Sequence, residues 1–231
     1  MLPLRDNVPT RRFPVVTVAL IAANVLVFIW EAAGTPLEHD VLRYGYYPCS
    51  LVQPCLPPAP LQHLPWYEGG FSSMFMHGGW IHLLGNMLFL WIFGNNVEDA
   101  LGPVRFLLWY VAAGVAATAL QTWVTLQFAG QTQASIPNVG ASGAIAGVLG
   151  AYLVLLPRAK VLTLVGWFLV EVPALVFLGV WFFFQLWSGH YAVTHPQSGG
   201  GVAFFAHIGG FAFGMLTVSL VAQRKPLQPS Y

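Results

Sequence analysis

The sequence predicts an all-α, polytopic membrane protein with six transmembrane helices, one domain over residues 1–231. Three observations carry that expectation. Only 7% of the residues are charged and 57% are hydrophobic, whereas soluble domains carry about 25% charged residues. Long, nearly uncharged stretches recur along the whole chain, of the length a helix needs to cross a hydrocarbon core about 30 Å thick. The basic residues fall in alternate connections between those stretches. A net charge of +1 gives no footing for a nucleic-acid partner, and no phosphate loop, dinucleotide fingerprint or EF-hand loop occurs.

Residues 1–12 form a short polar arm carrying Arg5, Asp6, Arg11 and Arg12. The apolar run 13–30 ends at Glu31 and Gly34-Thr35-Pro36. It is longer than the roughly 7–15-residue core of a signal peptide, and Glu31 stands where small cleavage-site residues belong. It reads as a retained first span. Residues 34–72 are a long loop rich in proline and aromatics, including Tyr46, Pro57, Pro58, Pro60 and Trp66. With few charges and many amphipathic rings, it is expected to lie on the membrane interface. Cys49 and Cys55, the chain's two cysteines, pair if this loop faces an oxidising compartment and stay as thiols if it does not.

Span 2 covers 80–97 and ends at Glu98-Asp99; span 3 covers 106–128. A polar loop, Gly130 to Asn138, leads into span 4 at 140–156, closed by Pro157-Arg158-Ala159-Lys160. The next apolar run, 161–170, is too short to cross and is interrupted by Glu171 and Pro173. Span 5 covers 172–187, and the loop from Ser188 to Gly201 holds His190, His195 and Gly199-Gly200-Gly201. Span 6 covers 202–222 and stops at Arg224-Lys225-Pro226. Six spans leave both termini on one side. Arg5, Arg11, Arg12, Arg105, Arg158, Lys160, Arg224 and Lys225 fall on that side and Arg43 on the other, so the positive-inside rule makes both termini cytoplasmic. The expected location is the cell's inner membrane, with the lipid bilayer as the chain's surroundings.

Spans 2, 4 and 6 run in the same direction, so their cytoplasmic ends serve as common rulers. At about 1.5 Å per residue, Ser142 lies roughly 22 Å above Pro157 and His207 roughly 25 Å above Arg224. His82 and Asn86 lie roughly 24 and 18 Å above Glu98. Each alone reads most simply as an interhelical hydrogen-bonding group. Together, a serine, two histidines and an asparagine at one depth on three parallel helices suit nucleophilic hydrolysis. Ser142 needs a base within hydrogen-bond reach, and His207 is a side chain of the right basicity. His82 and Asn86, four residues apart, share a helical face. With the Ser142 backbone N–H at its helix start, they can donate to a developing oxyanion. No carboxylate stands at this depth, so the group is a Ser–His dyad. Gly143 and Gly147 of span 4, with Gly210 and Gly214 of span 6, provide the small-residue spacing of a close helix pair.

These residues stand in text that resembles the rhomboid family of intramembrane serine proteases. The resemblance is carried by Gly140-Ala141-Ser142-Gly143 with Gly147, by His77-Gly78-Gly79-Trp80-Ile81-His82-Leu83-Leu84-Gly85-Asn86, and by Ala206-His207-Ile208-Gly209-Gly210 with Gly214. It covers nearly the whole chain and implies a rhomboid-like bundle. It further implies Ser142 as nucleophile, His207 as general base, and His82, Asn86 and the Ser142 N–H as the oxyanion site. The implied activity is cleavage of single-pass transmembrane protein substrates near the outer membrane face, without cofactor or metal. Span 5 and the loop after it would be gate and cap.

The chain departs from the family pattern in two places. Glu68 and Gly69 stand where a Trp-Arg pair is common, and Ala146 stands where an aromatic often stacks on the base histidine. Trp181 and Gln185 share a face of span 5; the first suits gate or lipid packing, the second substrate contact or a core hydrogen bond. His77 suits a loop-fixing bond, and His190 with His195 lack the further ligands a metal needs. The alternative function is a non-catalytic rhomboid-like protein that binds membrane helices. A small transporter would show internal repeats, and none is visible.

Overall fold

A computed structural model describes residues 1–34, 36–52, 54–56, 63–195 and 202–227. Pro57, Pro58 and Pro60 of the long loop and Gly199-Gly200-Gly201 lie outside the described residues. Six long helices form the bundle: α1 (Val15–Ala33), α4 (Trp80–Leu101), α5 (Pro103–Val124), α7 (Ser142–Leu155), α8 (Ala174–Thr194) and α9 (Phe204–Val221). Three shorter ones, α2 (Leu37–Tyr44), α3 (Trp66–Ser72) and α6 (Gly130–Ala134), lie in the connections.

Among the described residues, four helices are long and apolar enough to cross a membrane. They are α1, α8, α9 and the continuous Pro103–Ala134, in which a π-helical turn at Thr125–Ala129 joins α5 to α6. Helices α4 and α7 fill the other two places in a bundle of six. The apolar character of α4 is diluted by His82, Asn86, Asn95, Asn96, Glu98 and Asp99. Helix α7 has 14 residues, and every one from Gly143 to Tyr152 is buried. It is the centre of the bundle, and at about 1.5 Å per residue it rises only about 21 Å. It is thus shorter than the roughly 30 Å thickness of a hydrocarbon core.

Several stretches fold differently from the sequence reading. The polar arm is strand β1 (Leu2–Asp6), and the short run after span 4 is a hairpin of β2 (Lys160–Val165) and β3 (Phe168–Pro173). The three make an antiparallel sheet in the order β1-β2-β3, with Leu2 opposite Leu164 and Leu164 opposite Leu169. Val161-Leu162-Thr163-Leu164-Val165 favours a strand through its β-branched residues. Gly166, at φ +59°, turns the chain in a conformation that costs other residues more. The expected Gly130–Asn138 loop is helical as far as Ala134. Helix α8 runs on to Thr194, so His190 is helical and only His195 caps the end.

Span 2 does not end at Glu98-Asp99; α4 continues to Leu101 with both acids buried. The reason is a hydrogen-bonding task. Pro14, the residue before α1, has no side-chain acceptor for the helix start. Glu98 fills that place from another helix, accepting from the N–H groups of Val16 (3.0 Å) and Thr17 (2.7 Å) and from the Thr17 hydroxyl (2.8 Å). Helix-start donors without partners are thereby satisfied inside the protein. Beside it, Asp6 of β1 accepts from Asn96 (2.8 Å) and from the Tyr152 hydroxyl (2.5 Å), tying the sheet to α4 and α7.

Helices α7 and α9 touch backbone to backbone. A Cβ on Gly210 would collide with the Gly143 carbonyl oxygen, one on Gly214 with that of Gly147, and one on Gly150 with that of Phe211. On its other side Gly147 faces Ala113 and Gly143 faces Ala117, both of α5, leaving no space for a Cβ there either. Small residues are what permit this approach.

Candidate active site

The segment ahead of α7 is held from the long connection between α1 and α4. Tyr46 and Asn138 exchange two backbone hydrogen bonds of 3.1 and 2.8 Å, and the Gly140 N–H donates to the Ser73 carbonyl at 2.8 Å. The Tyr46 hydroxyl bonds Thr122 of α5 at 2.9 Å. Cys49 and Cys55, three to nine residues along the same loop, form a disulfide with Cα atoms 5.3 Å apart. The sequence had left that pairing open.

Gly140 is the one position before Ser142 where glycine is required twice. Its φ of +128° lies where only glycine is at ease. A Cβ there would also stand 2.8–2.9 Å from the His82 ring. That ring therefore lies directly over the entry to α7, beside Ser142.

Ser142 is the first residue of α7 and His207 lies in the first turn of α9. The Ser142 Oγ and His207 Nε2 are 2.8 Å apart. They lie in the wall of a cavity of about 330 Å³ that His82, Asn86 and Trp181 also line. Asn86 is buried, and its Nδ2 has no hydrogen-bond partner among the described residues. An amide donor left open beside a cavity is costly unless something arrives to accept from it. All four residues read from matched depth thus border one chamber.

Two further neighbours of His207 come from α8. The His207 Nδ1 lies 2.8 Å from Gln185 Oε1, and the Trp181 ring is tilted at 39° to the imidazole with centroids 5.8 Å apart. Sequence reading had paired Trp181 and Gln185 on one face without reaching their contact with His207. Their i, i+4 spacing was the available signal. Ala146 is 1% exposed, so the histidine takes its aromatic neighbour from α8. His77 is buried in a loop-fixing role: its N–H faces Glu31 of α1 at 3.5 Å and its Nδ1 faces the Phe75 carbonyl at 3.2 Å. Among the described residues no His, Cys, Asp or Glu cluster has the makings of a metal site.

Fold and site together define a polytopic helical membrane protein with a serine–histidine pair inside its bundle. A family model, the Rhomboid domain, matches residues 66–224, more than half of the chain, and the chain belongs to the rhomboid family. It is similar to the mitochondrial Rhomboid protein 1 of Saccharomyces cerevisiae, 33% identical over 149 residues that cover 63% of this chain and 39% of that one. It is also similar to the human mitochondrial presenilin-associated rhomboid-like protein, 30% identical over 87% of this chain and 46% of the relative. The Rhomboid protease GluP of Bacillus subtilis is 32% identical over 67% of this chain and 26% of its own. The chain thus spans less than half the length of these relatives.

Proposed function

We propose that the chain is an intramembrane serine endopeptidase that cleaves single-pass transmembrane proteins near the outer face of the bilayer. The observation that carries this reading is the 2.8 Å approach of Ser142 Oγ to His207 Nε2 at a cavity inside the bundle. In the reaction, Oγ attacks the carbonyl carbon of the scissile peptide while His207 Nε2 takes its proton. The negative charge that builds on the carbonyl oxygen is met by the Ser142 backbone N–H, the His82 ring and the open Asn86 amide. Collapse expels the amine, which leaves with the proton from His207. A water molecule then hydrolyses the acyl-serine by the reverse proton path, and no cofactor is used. The short α7 supports a reaction set below the membrane surface, in a chamber that water and a substrate strand enter.

The sorting of basic residues supports an orientation with both termini cytoplasmic in a cell's inner membrane. Relatives named as mitochondrial carry the alternative location, and fractionation with tag accessibility on each side of the membrane decides it. Activity is tested by comparing wild type with Ser142→Ala on a model transmembrane substrate in detergent. Cleavage by wild type alone is the expected result; equal cleavage by both sinks the reading. A fluorophosphonate that labels Ser142 in wild type, and fails with His207→Ala, separates a protease from a non-catalytic helix-binding relative.

A further inference from the structure

We infer that Gln185 of α8 is a positioning residue that fixes the tautomer and ring direction of His207; this rests on the serine–histidine reading above. The argument begins with the orientation of the glutamine amide. Its Nε2 faces the Trp181 carbonyl one turn earlier at 3.4 Å, leaving Oε1 toward His207 Nδ1 at 2.8 Å. An amide oxygen only accepts, so Nδ1 carries the proton. In a neutral imidazole the other nitrogen is then bare, and Nε2 is the atom 2.8 Å from the Ser142 hydroxyl. Gln185 thus leaves the lone pair on the nitrogen that must receive the serine proton. A ring with the opposite tautomer would point N–H at Ser142 Oγ and be unable to accept from it.

Trp181 completes the arrangement. It sits one turn before Gln185, packs at 5.8 Å against the imidazole and at 5.9 Å against Phe211, one turn beyond His207. The two α8 side chains hold the ring from its edge and from its flank. Helix α8 is also the least buried of the four long apolar helices, with 17% of its span inside the protein. The group that sets the base therefore rides on the least buried of these four helices. The Nδ1 partner of His207 is thus supplied by the packing of α8 on α9.

The test uses the full chain in detergent, with Gln185→Met (similar size, no acceptor) and Gln185→Glu (an acceptor retained). Labelling of Ser142 by a fluorophosphonate is followed as maximal rate and half-saturating concentration, and the imidazole nitrogens of His207 are read by nitrogen-15 spectroscopy, assigned with His207→Ala. The expected result is a maximal rate lowered roughly 10-fold in Gln185→Met, the loss of one orienting hydrogen bond. Half-saturation and melting temperature stay near wild type, and Gln185→Glu stays within about threefold. The wild-type spectrum shows the proton on Nδ1, and Gln185→Met shows a mixture. A Gln185→Met protein that labels as fast as wild type, an equal loss in both variants, or an unchanged nitrogen spectrum overturns the inference. A wild type that never labels while its spectrum still shows Nδ1–H held by Gln185 removes the protease reading instead, leaving the tautomer assignment as a structural fact without a catalytic use.

Discussion

Gly210 stands so near Gly143 that the carbonyl oxygen of one fills the place where a side chain of the other would go. The contact lies three residues past His207 and one past Ser142, so it sets how near those two side chains come. Gly210→Ala must push α9 from α7 or distort both. Overpacking of this kind costs about 1–3 kcal/mol, and the separation it forces is felt first at the Ser142–His207 hydrogen bond. The expected outcome is a lowered melting temperature and fluorophosphonate labelling reduced at least about 10-fold. Gly179→Ala, on α8 where nothing lies within 4 Å of the added carbon, leaves both near wild type. Equal behaviour of the two variants would show that the close approach does not govern the site.

His82 and Asn86 border the chamber from α4 without bonding Ser142 or His207. Their proposed contribution is thus confined to the charge that appears on the substrate oxygen. Asn86→Ala is expected to lower the turnover of a transmembrane substrate about 100-fold, the usual effect of losing one oxyanion donor. Its effect on half-saturation is small, because the ground-state carbonyl asks less of the donor. Asn86→Ala also removes an unpartnered buried amide, so its melting temperature holds or rises. A variant that loses stability and keeps its turnover contradicts the oxyanion role.

The six long helices and the four chamber residues were legible because each rests on a periodic or one-dimensional signal. Hydropathy anticipated where the long helices start but not every end, since α8 runs on to Thr194, and helical rise alone gave Ser142, His207, His82 and Asn86 one expected depth. What was not legible depends on pairing across the fold. The arm at Leu2–Asp6 has no apolar run of its own and becomes a strand because Lys160–Val165 offers it an edge. Glu98 reads as a stop signal until α1 is seen to begin beneath it. Gln185 reads as a substrate contact or a core hydrogen bond, and which of these holds depends on a partner 22 residues away on the next helix. Depth along a helix can be counted from sequence, whereas rotation about its axis is decided by neighbours.

Glu98 links α4 to the start of α1 through three accepted hydrogen bonds. Glu98→Ala leaves two backbone N–H groups and a hydroxyl without partners, and Thr17 itself is fully buried. The loss is expected to be about 2 kcal/mol, the upper part of the range for helix caps. Because the bonds lie at the opposite end of α4 from His82, labelling of Ser142 at a temperature where the variant remains folded is expected to match wild type. Melting and labelling measured on one preparation check both statements. Lost labelling in a folded sample would mean that α1 and the chamber are coupled.

Asp6 carries a pH dependence whose sign follows from its burial. Burial pushes its carboxyl up from 3.8 to about 6, against the opposing pull of the Tyr152 hydroxyl. Below the lower value the group is protonated in folded and unfolded chains alike, and burial costs nothing in charge. Above about 6 it is ionised in both, and the folded protein alone bears a half-buried carboxylate. Stability is therefore lost as pH rises through this window, by at most about 3 kcal/mol for a shift of this size. Besides the backbone N–H of Val8, Asp6 accepts from two side chains, Asn96 and Tyr152, which meet the same oxygen, Oδ2, so the carbonyl oxygen of an asparagine can accept from both. Asp6→Asn is accordingly expected to melt higher than wild type at neutral pH. The gap should close on acidification toward about pH 4, as read by melting in detergent across that range. Parallel curves for the two proteins would mean that Asp6 titrates alike in the folded and unfolded chain.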